Sequence, residues 1–314
     1  QFATARIGAI LVNVNPAYRL SELEYALNKS GVSLLVTAAA FKSSNYLGLL
    51  QNLGVGQPGG ANRLPALRSV VRMGDEPTAG MRNWHELMSA GRTALGALPA
   101  QSVLGCRDAI NIQFTSGTTG APKGATLTHH NIVNNAIAVA GCMRLAENDA
   151  LCIPVPLYHC FGMVLGVLAC VASGAKMVFP GEGFEPRATL AAVEAEACTA
   201  LHGVPTMFIA ELDHPEFALF DLRTLRTGIM AGAPCPIEVM KRVQREMHMR
   251  EVTIAYGMTE TSPVSFQSAT DDPLDKRVAT VGRVLPHLEV KIVDADGAAV
   301  AIRHKGEVCT KGYR

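Results

Sequence analysis

From Ala109 onward, short apolar runs recur along the chain: "AINIQF", "ALCIPVP", "AKMVFP", "CTALHGVP", "LRTGIMAG" and "EVTIAYG". Stretches of helical period separate them, among them "EPRATLAAVEAEAC" and "PIEVMKRVQREMH". Short apolar runs alternating with helices predict strand–helix crossovers and a largely parallel sheet. Earlier in the chain, "LSELEYALNKSG" predicts a helix. Ser21 and Glu24 would form its capping box, Leu20 and Tyr25 a hydrophobic staple, and Gly31 its stop. "VSLLVT" follows as a buried strand, and Asn52 to Gly80, rich in Gly, Pro and Arg, reads as a long surface excursion. Near the end, "HLEVKIVDADGAAVA" alternates with period two around Asp296-Gly297, as an antiparallel hairpin should, with "GEVCTKGYR" as its partner strand.

Composition narrows the picture. With 314 residues, 48% of them apolar, and a formal charge of +1, the chain can bury a sizeable core and is not of the disordered class. Near-neutrality gives no electrostatic footprint for nucleic acid. The charged run "MKRVQREMHMR" reads as the wet face of a helix. The eight cysteines include no C-x-x-C pair, so they are expected as small buried hydrophobes in a reducing compartment. "FGMVLGVLACVASGAKMVF" is interrupted by Gly, Ser and Lys, which predicts a core helix and strand, not a membrane span. No signal peptide is visible. The chain starts at Gln1 within an apolar pattern, so a piece of a longer protein is expected.

One loop concentrates chemistry. "TSGTTGAPKG", Thr115 to Gly124, holds Gly117, Gly120 and Gly124, the hydroxyls of Thr115, Ser116, Thr118 and Thr119, and Lys123. Such glycines let successive N–H groups point inward as an anion nest, and a lysine suits a polyphosphate. At about 4 Å and an effective dielectric near 20, one lysine–phosphate pair is worth roughly 4 kcal/mol before desolvation. G-x-x-x-x-G-K-[ST] does not fit: Pro122 lies five residues after Gly117, and Gly124 follows Lys123. "KGATLT" continues as strand, with a helix from about Thr128. His129 and His130, at that helix start, are not read as catalytic.

"TSGTTGAPKG" strongly resembles the phosphate-loop signature of adenylate-forming enzymes, the superfamily of acyl-CoA synthetases, luciferases and adenylation domains. Further motifs follow in the family's order over essentially the whole chain: "PLYHCFG" at 156–162, "AGAPCP" at 231–236, "YGMTE" at 256–260 and "GE-x-C-x-x-G" at 306–312. The chain looks most like medium-chain fatty acyl-CoA ligases. The expected fold is α/β: a first subdomain over 1–108, a second over 109–275 with the phosphate loop and an acyl/adenine pocket, and the start of a small antiparallel β-barrel over 276–314. "TSGTTG", "PLYH", "GVPTMF", "AGAPCP" and "YGMTE" each begin where a predicted strand ends. Ligands bind outside the carboxyl ends of parallel strands, so all five are expected on one rim.

Residue roles follow by type and by resemblance. Glu260 is the carboxylate suited to magnesium, with Thr115 as a hydroxyl ligand by resemblance; the alternative is a solvated helix-start residue. Tyr256, followed by Gly257 and Met258, can stack on adenine or be a core tyrosine. Gly232 and Ala233, with Pro234, allow close backbone approach to the base or form a plain turn. Thr259 could touch the α-phosphate. His159, near Phe161, resembles the family's gate beside the carboxylate pocket; a packed histidine is the alternative. His202, Gly203, Val204 and Met207 would line an acyl channel, with Met207 nearly as readable as core.

The implied reaction joins a fatty carboxylate to ATP, releasing pyrophosphate, and then to coenzyme A, releasing AMP. The substrate is itself the nucleophile, so alignment and charge neutralisation suffice, and no G-x-S-x-G elbow appears. ATP, Mg²⁺ and coenzyme A are the implied cofactors and the carboxylic acid the partner, with a homodimer allowed. A cytoplasmic location is expected, with the mitochondrial matrix also open. The ribose-gripping aspartate, basic hinge and adenylation lysine are expected beyond Arg314, which would leave these 314 residues nearly inactive alone. Aryl- or amino-acid ligases, a phosphotransferase and a non-catalytic acyl- or nucleotide-binding module stand as alternatives.

Overall fold

The computed structural model describes residues 1–57, 63–94, 96, 103–115 and 122–312. Its contacts divide the chain into two compact units, Gln1–Leu127 and Thr128–Arg314.

In the first unit, helix α1 (Phe2–Arg6) precedes β1 (Leu11–Asn13) and α2 (Leu20–Ser30). Strands β2 (Leu34–Thr37), β3 (Ala40–Phe41) and β4 (Ser44–Asn45) lead to α3 (Tyr46–Asn52). Next come β5 (Ser69–Arg72), β6 (Arg82–Asn83), α4 (Trp84–Thr93), β7 (Ala109–Thr115) and β8 (Lys123–Thr128). Strand β7 lies between β1 and β8, β2-β5-β6 form a parallel sheet, and β3 and β4 pair antiparallel. The core gathers Leu23, Leu27, Leu50, Leu53, Leu64 and Val70.

Three expectations change in this unit. The α2 cap moves two residues towards the N-terminus: Arg19 is the N-cap, and its N–H donates to the Glu22 carboxylate at 3.0 Å, so Ser21 and Glu24 do not form the box. Gly31 does stop the helix, in the left-handed region at φ 61°. "VSLLVT" forms β2, but Leu34 and Val36 are exposed, so only alternate residues turn inward. The supposed surface excursion contains β5, the buried middle strand of its sheet, where Val70 and Val71 outweigh the flanking polar residues.

The second unit opens with α5 (His129–Cys142), where Thr128 accepts the Asn131 N–H at 3.2 Å as N-cap. Strand β9 (Ala150–Cys152) is followed by a π-helix (Phe161–Leu168), α6 (Ala169–Ser173) and β10 (Lys176–Val178). Then α7 (Pro186–Ala195), β11 (Ala200–Gly203), α8 (Pro205–Leu212), β12 (Thr227–Ala231), α9 (Ile237–Glu246) and β13 (Glu251–Gly257) alternate as expected. Strands β14 (Val264–Gln267) and β15 (Arg283–Val284), with α10 (Leu274–Ala279) between them, complete the main sheet.

The sheet order is β10-β9-β11-β12-β13-β14-β15, parallel through β13 and antiparallel beyond it. On one face Leu190, Val193, Phe208, Leu212, Met240 and Val243 of α7, α8 and α9 pack on Cys152, Leu201, Met230, Val252 and Ile254. The other face meets α5 and the π-helix: Thr227 bonds the Met143 carbonyl at 3.4 Å, and His202 reaches Leu165. Strands β16 (Glu289–Val293) and β17 (Glu307–Lys311) pair antiparallel, and no closed barrel forms among the described residues. The turn between Asp294 and Ala298 places Gly297 at φ 80°, as the Asp-Gly step predicts. No helix among the described residues is long and apolar enough to cross a membrane.

The topology divides the five loops between two sheets. Four of the five loops leave β9, β11, β12 and β13, four adjacent parallel strands of one sheet. The fifth follows β7, which belongs to the three-stranded sheet of the first unit and not to the second subdomain's sheet. Its apolar run resembles the other five, yet it pairs with β1 in register Leu11 to Asn111.

Candidate functional site

The carboxyl-end rim of β9, β11, β12 and β13 is built by register. Cys152 pairs with Leu201, Gly203 with Met230, and Ala231 with Ala255, so each strand from β9 to β13 ends one or two residues beyond its neighbour and the rim steps along the sheet. The chain also crosses between β10 and β11, on opposite sides of β9, which makes this edge a topological switch point.

At the end of β12, Gly232 sits at φ 87°, a left-handed conformation that side chains resist, and Gly232, Ala233 and Pro234 are all exposed. Helix α9 starts just beyond, so the segment presents backbone to the rim. On β13, a register shift between Tyr256 and Gly257 bends the strand end outward. A Cβ on Gly257 would lie 1.8 Å from the Pro263 carbonyl oxygen, so only glycine lets the two chain segments touch. Tyr256 is half-exposed, its ring in an edge contact with Phe266 at 6.0 Å between centroids. The phenol is thus packed on Phe266 and partly open to solvent.

The Met258–Thr261 turn is closed by the Thr261 hydroxyl, which accepts the Met258 N–H at 3.2 Å and donates to the Pro263 carbonyl at 2.7 Å. Met258 is exposed, Thr259 is buried, and the Glu260 side chain points to solvent. Thr259 meets Cys160, the fully buried cysteine of "PLYHCFG". Burial pushes the Cys160 thiol up to about 12 despite the Thr259 contact, so it stays a thiol. This contact brings two motifs together that lie about a hundred residues apart in the chain. Cys160 is buried as the cysteines are expected to be, and its place inside a motif loop is the sequence signal for this contact.

His159 is exposed at the rim. Its Nδ1 accepts the Phe161 N–H at 3.1 Å, which leaves Nε2 to carry the proton and face outward. Although the residue keeps exposed surface, partial desolvation of its ring lowers its pKa, favouring neutral imidazole. Phe161 itself is buried and packs on His202 at 5.4 Å between centroids.

His202 differs from the lining role expected for it. It has no exposed surface, its Nε2–H donates to the Leu165 carbonyl at 2.9 Å, and its Nδ1 accepts the Ile229 N–H at 3.2 Å. Burial drives its pKa down to about 4. The imidazole is therefore a neutral bridge between the π-helix and β12, with no free nitrogen for a ligand. Gly203 is buried and Val204 half-buried, and the Met207 sulfur accepts the Val204 N–H at 3.5 Å, fastening the start of α8. Met207 is buried in that role, in keeping with its alternative as core.

In the first unit, Thr115 ends β7 and Lys123 starts β8, and the Thr115 hydroxyl lies 3.5 Å from the Lys123 carbonyl. The two strands therefore bring the ends of the phosphate-type loop together. Lys123 is exposed. Ser116, Gly117, Thr118, Thr119 and Gly120 lie outside the described residues.

Magnesium fits the donor set in one respect. Among the described residues no cluster of three acidic, histidine or cysteine ligands exists, and Glu260 is drawn into no ion pair. An exposed, unpaired carboxylate suits an ion that takes one or two protein oxygens and completes its shell with phosphate and water.

A family model described as AMP-binding enzyme matches residues 1–314. The medium-chain acyl-CoA ligase ACSF2, mitochondrial, of Danio rerio is 45% identical over 326 residues, covering 100% of this chain and 53% of the relative. The acyl-CoA ligase sidI of Aspergillus fumigatus is 44% identical over 319 residues, again covering 100% of this chain and 53% of the relative. The chain thus spans about half the length of these relatives. Among solved structures, the inhibitor-bound N-terminal domain of FACL13 from Mycobacterium tuberculosis superposes with a TM-score of 0.83 at 23% identity, covering 99% of this chain and 71% of that one. That likeness concerns the fold.

Proposed function

This chain belongs to the AMP-binding enzyme family, and on that premise we propose that the whole protein activates a medium-chain fatty acid with ATP and transfers it to coenzyme A. The observation that carries the reading is the shared rim, where the His159 segment and the Thr259–Glu260 turn meet through Cys160. The relatives' names support the substrate class.

In the first step a carboxylate oxygen attacks the α-phosphorus, the bond to the β-phosphate oxygen breaks, and pyrophosphate leaves. In the second, the coenzyme A sulfur attacks the acyl carbon, AMP departs with the bridging oxygen, and the thiol proton goes to solvent. Neither step needs a side-chain nucleophile, so the protein's work is alignment and electrostatics. Tyr256 offers a free ring face to the adenine, and Gly232 to Pro234 offer backbone beside it. Lys123, with Thr115 through Gly120, serves the phosphates, and Thr259 the α-phosphate. Glu260 would hold Mg²⁺, which when bound supplies neutralisation of phosphate charge. His159 stands beside the acid's carboxylate as a neutral donor through Nε2–H, and Phe161, Gly203 and Val204 flank the tail. His202 acts behind them, as a bridge.

The test is acid-dependent exchange of pyrophosphate into ATP by the complete protein, with a graded series of carboxylic acids and the nucleotide product identified. AMP with a medium-chain optimum is expected. ADP as product would replace the reading with phosphotransfer, and nucleotide binding without exchange would leave a binding module.

A further inference from the structure

The turn that carries Glu260 is anchored at its far end by a buried amide as well as by strand pairing. Helix α5 buries Ile132, Ala136, Val139 and Ala140, and in the same stripe Asn135, which has no exposed surface. A buried amide is costly unless it is hydrogen-bonded. Asn135 bonds both main-chain groups of a single residue: its Nδ2–H donates to the Val264 carbonyl at 2.8 Å, and its Oδ1 accepts the Val264 N–H at 3.1 Å. The side chain thus mimics a ladder strand at the first residue of β14.

Between Gly257, the end of β13, and Val264 lies only the Met258–Pro263 turn. That turn is closed on itself by Thr261 and pressed against Gly257 at Pro263. Its position is therefore inherited from its two ends. One end is set by the β12–β13 ladder, the other by the pairing of β14 with β13 and by Asn135, which bonds both main-chain groups of Val264.

We infer that Asn135 is a positioning residue that sets the place of the Glu260 carboxylate, and through it the protein's grip on the magnesium of the nucleotide. The inference rests on the reading of Glu260 as a metal ligand. Losing the amide would leave two buried main-chain groups unpaired and free the turn to relax.

The experiment uses the complete protein and titrates Mg²⁺ calorimetrically in the presence of α,β-methylene-ATP, alongside thermal melts and the Mg²⁺ dependence of pyrophosphate exchange. Glu260→Gln tests the parent reading, Asn135→Ala the inference, and Val139→Ala controls for lost packing on the same helix face. Weakening of Mg²⁺ binding by about tenfold in Asn135→Ala, with an unchanged KM for the acid and no such weakening in Val139→Ala, is expected. Asn135→Asp, which keeps the acceptor and loses the donor, should weaken it too, and it serves if the alanine variant does not fold. If Glu260→Gln leaves Mg²⁺ binding intact, the metal-ligand reading fails and takes the inference with it. If Glu260→Gln weakens binding but the Asn135 variants do not, or Val139→Ala weakens it equally, the inference alone is overturned.

Discussion

Glu211 makes a sharp test of how this core was built. It lies on α8 at 1% exposure, and neither carboxylate oxygen has a hydrogen-bond partner. Burial alone pushes its pKa well above the usual carboxylate range. In the unfolded chain a glutamate ionises near pH 4.3, so above that pH unfolding releases a proton. With the folded pKa raised, the stabilising contribution is full below about pH 4 and drains as pH climbs towards the folded value, at roughly 1.4 kcal/mol per pH unit. Glu211→Met keeps the volume and has no proton to lose. Any packing change it brings is independent of pH and cancels in a difference. Between pH 5 and pH 6 the stability of Glu211→Met relative to the native chain should therefore rise by about 1.4 kcal/mol. For a unit of this size that is roughly 3–6 °C in Tm, measured by calorimetry on both proteins at both pH values. An identical Tm difference at the two pH values would show that the carboxylate ionises in the folded chain, and the account of an unpaired, neutral acid would fail.

Lys123→Ala should lower acid-dependent pyrophosphate exchange by about 10²–10³-fold if one phosphate-facing charge is lost, read in the complete protein. Gly257→Ala should lose activity and stability together, because the new methyl would meet the Pro263 oxygen at 1.8 Å; unchanged melting would refute the close approach. At the opposite sheet edge, Arg226 grips Asp149 at 2.6 Å and Glu251 at 2.7 Å, and burial of Asp149 is outweighed by hydrogen bonds from Arg226, Thr199 and Ala146, which hold its pKa low. Asp149→Asn should cost about 3 kcal/mol at pH 7, and less as pH falls through the depressed folded pKa, since a lowered carboxyl contributes stability only above it. Because desolvation of the ring lowers the His159 pKa below the ordinary imidazole value, His159→Phe should change the rate without changing the shape of its pH profile between pH 6.5 and 8.

Much was legible where the governing interactions are local. The alternation of "CTALHGVP", "LRTGIMAG" and "EVTIAYG" with helical stretches became β11, β12 and β13 with their crossovers. Gly31, Thr128 and the Asp296-Gly297 step did what their backbone chemistry predicts. Where several donors compete, local reading slipped: Arg19 and Glu22, not Ser21 and Glu24, close the start of α2. Strand β5 was hidden because its two buried valines stand among arginines and glycines, and Arg72 is absorbed by the Glu76–Thr78 turn. The polar residues of the candidate site were recognisable as types, but not their partners. His202 was named and then found sealed, and Asn135 was not singled out at all.

The amino-acid order by itself determined which segments are strands, which loops end them, and which loops carry glycines, hydroxyls and charge, because period, capping and turn chemistry act over a few residues. Only the tertiary structure decided that β7 pairs with β1 while β9, β11, β12 and β13 share another sheet. It alone decided that Cys160 meets Thr259 and that Asn135 holds Val264 from 129 positions away. Pairing between distant segments depends on which apolar faces and unpaired backbone groups can be satisfied together, and no single stretch of chain contains that information.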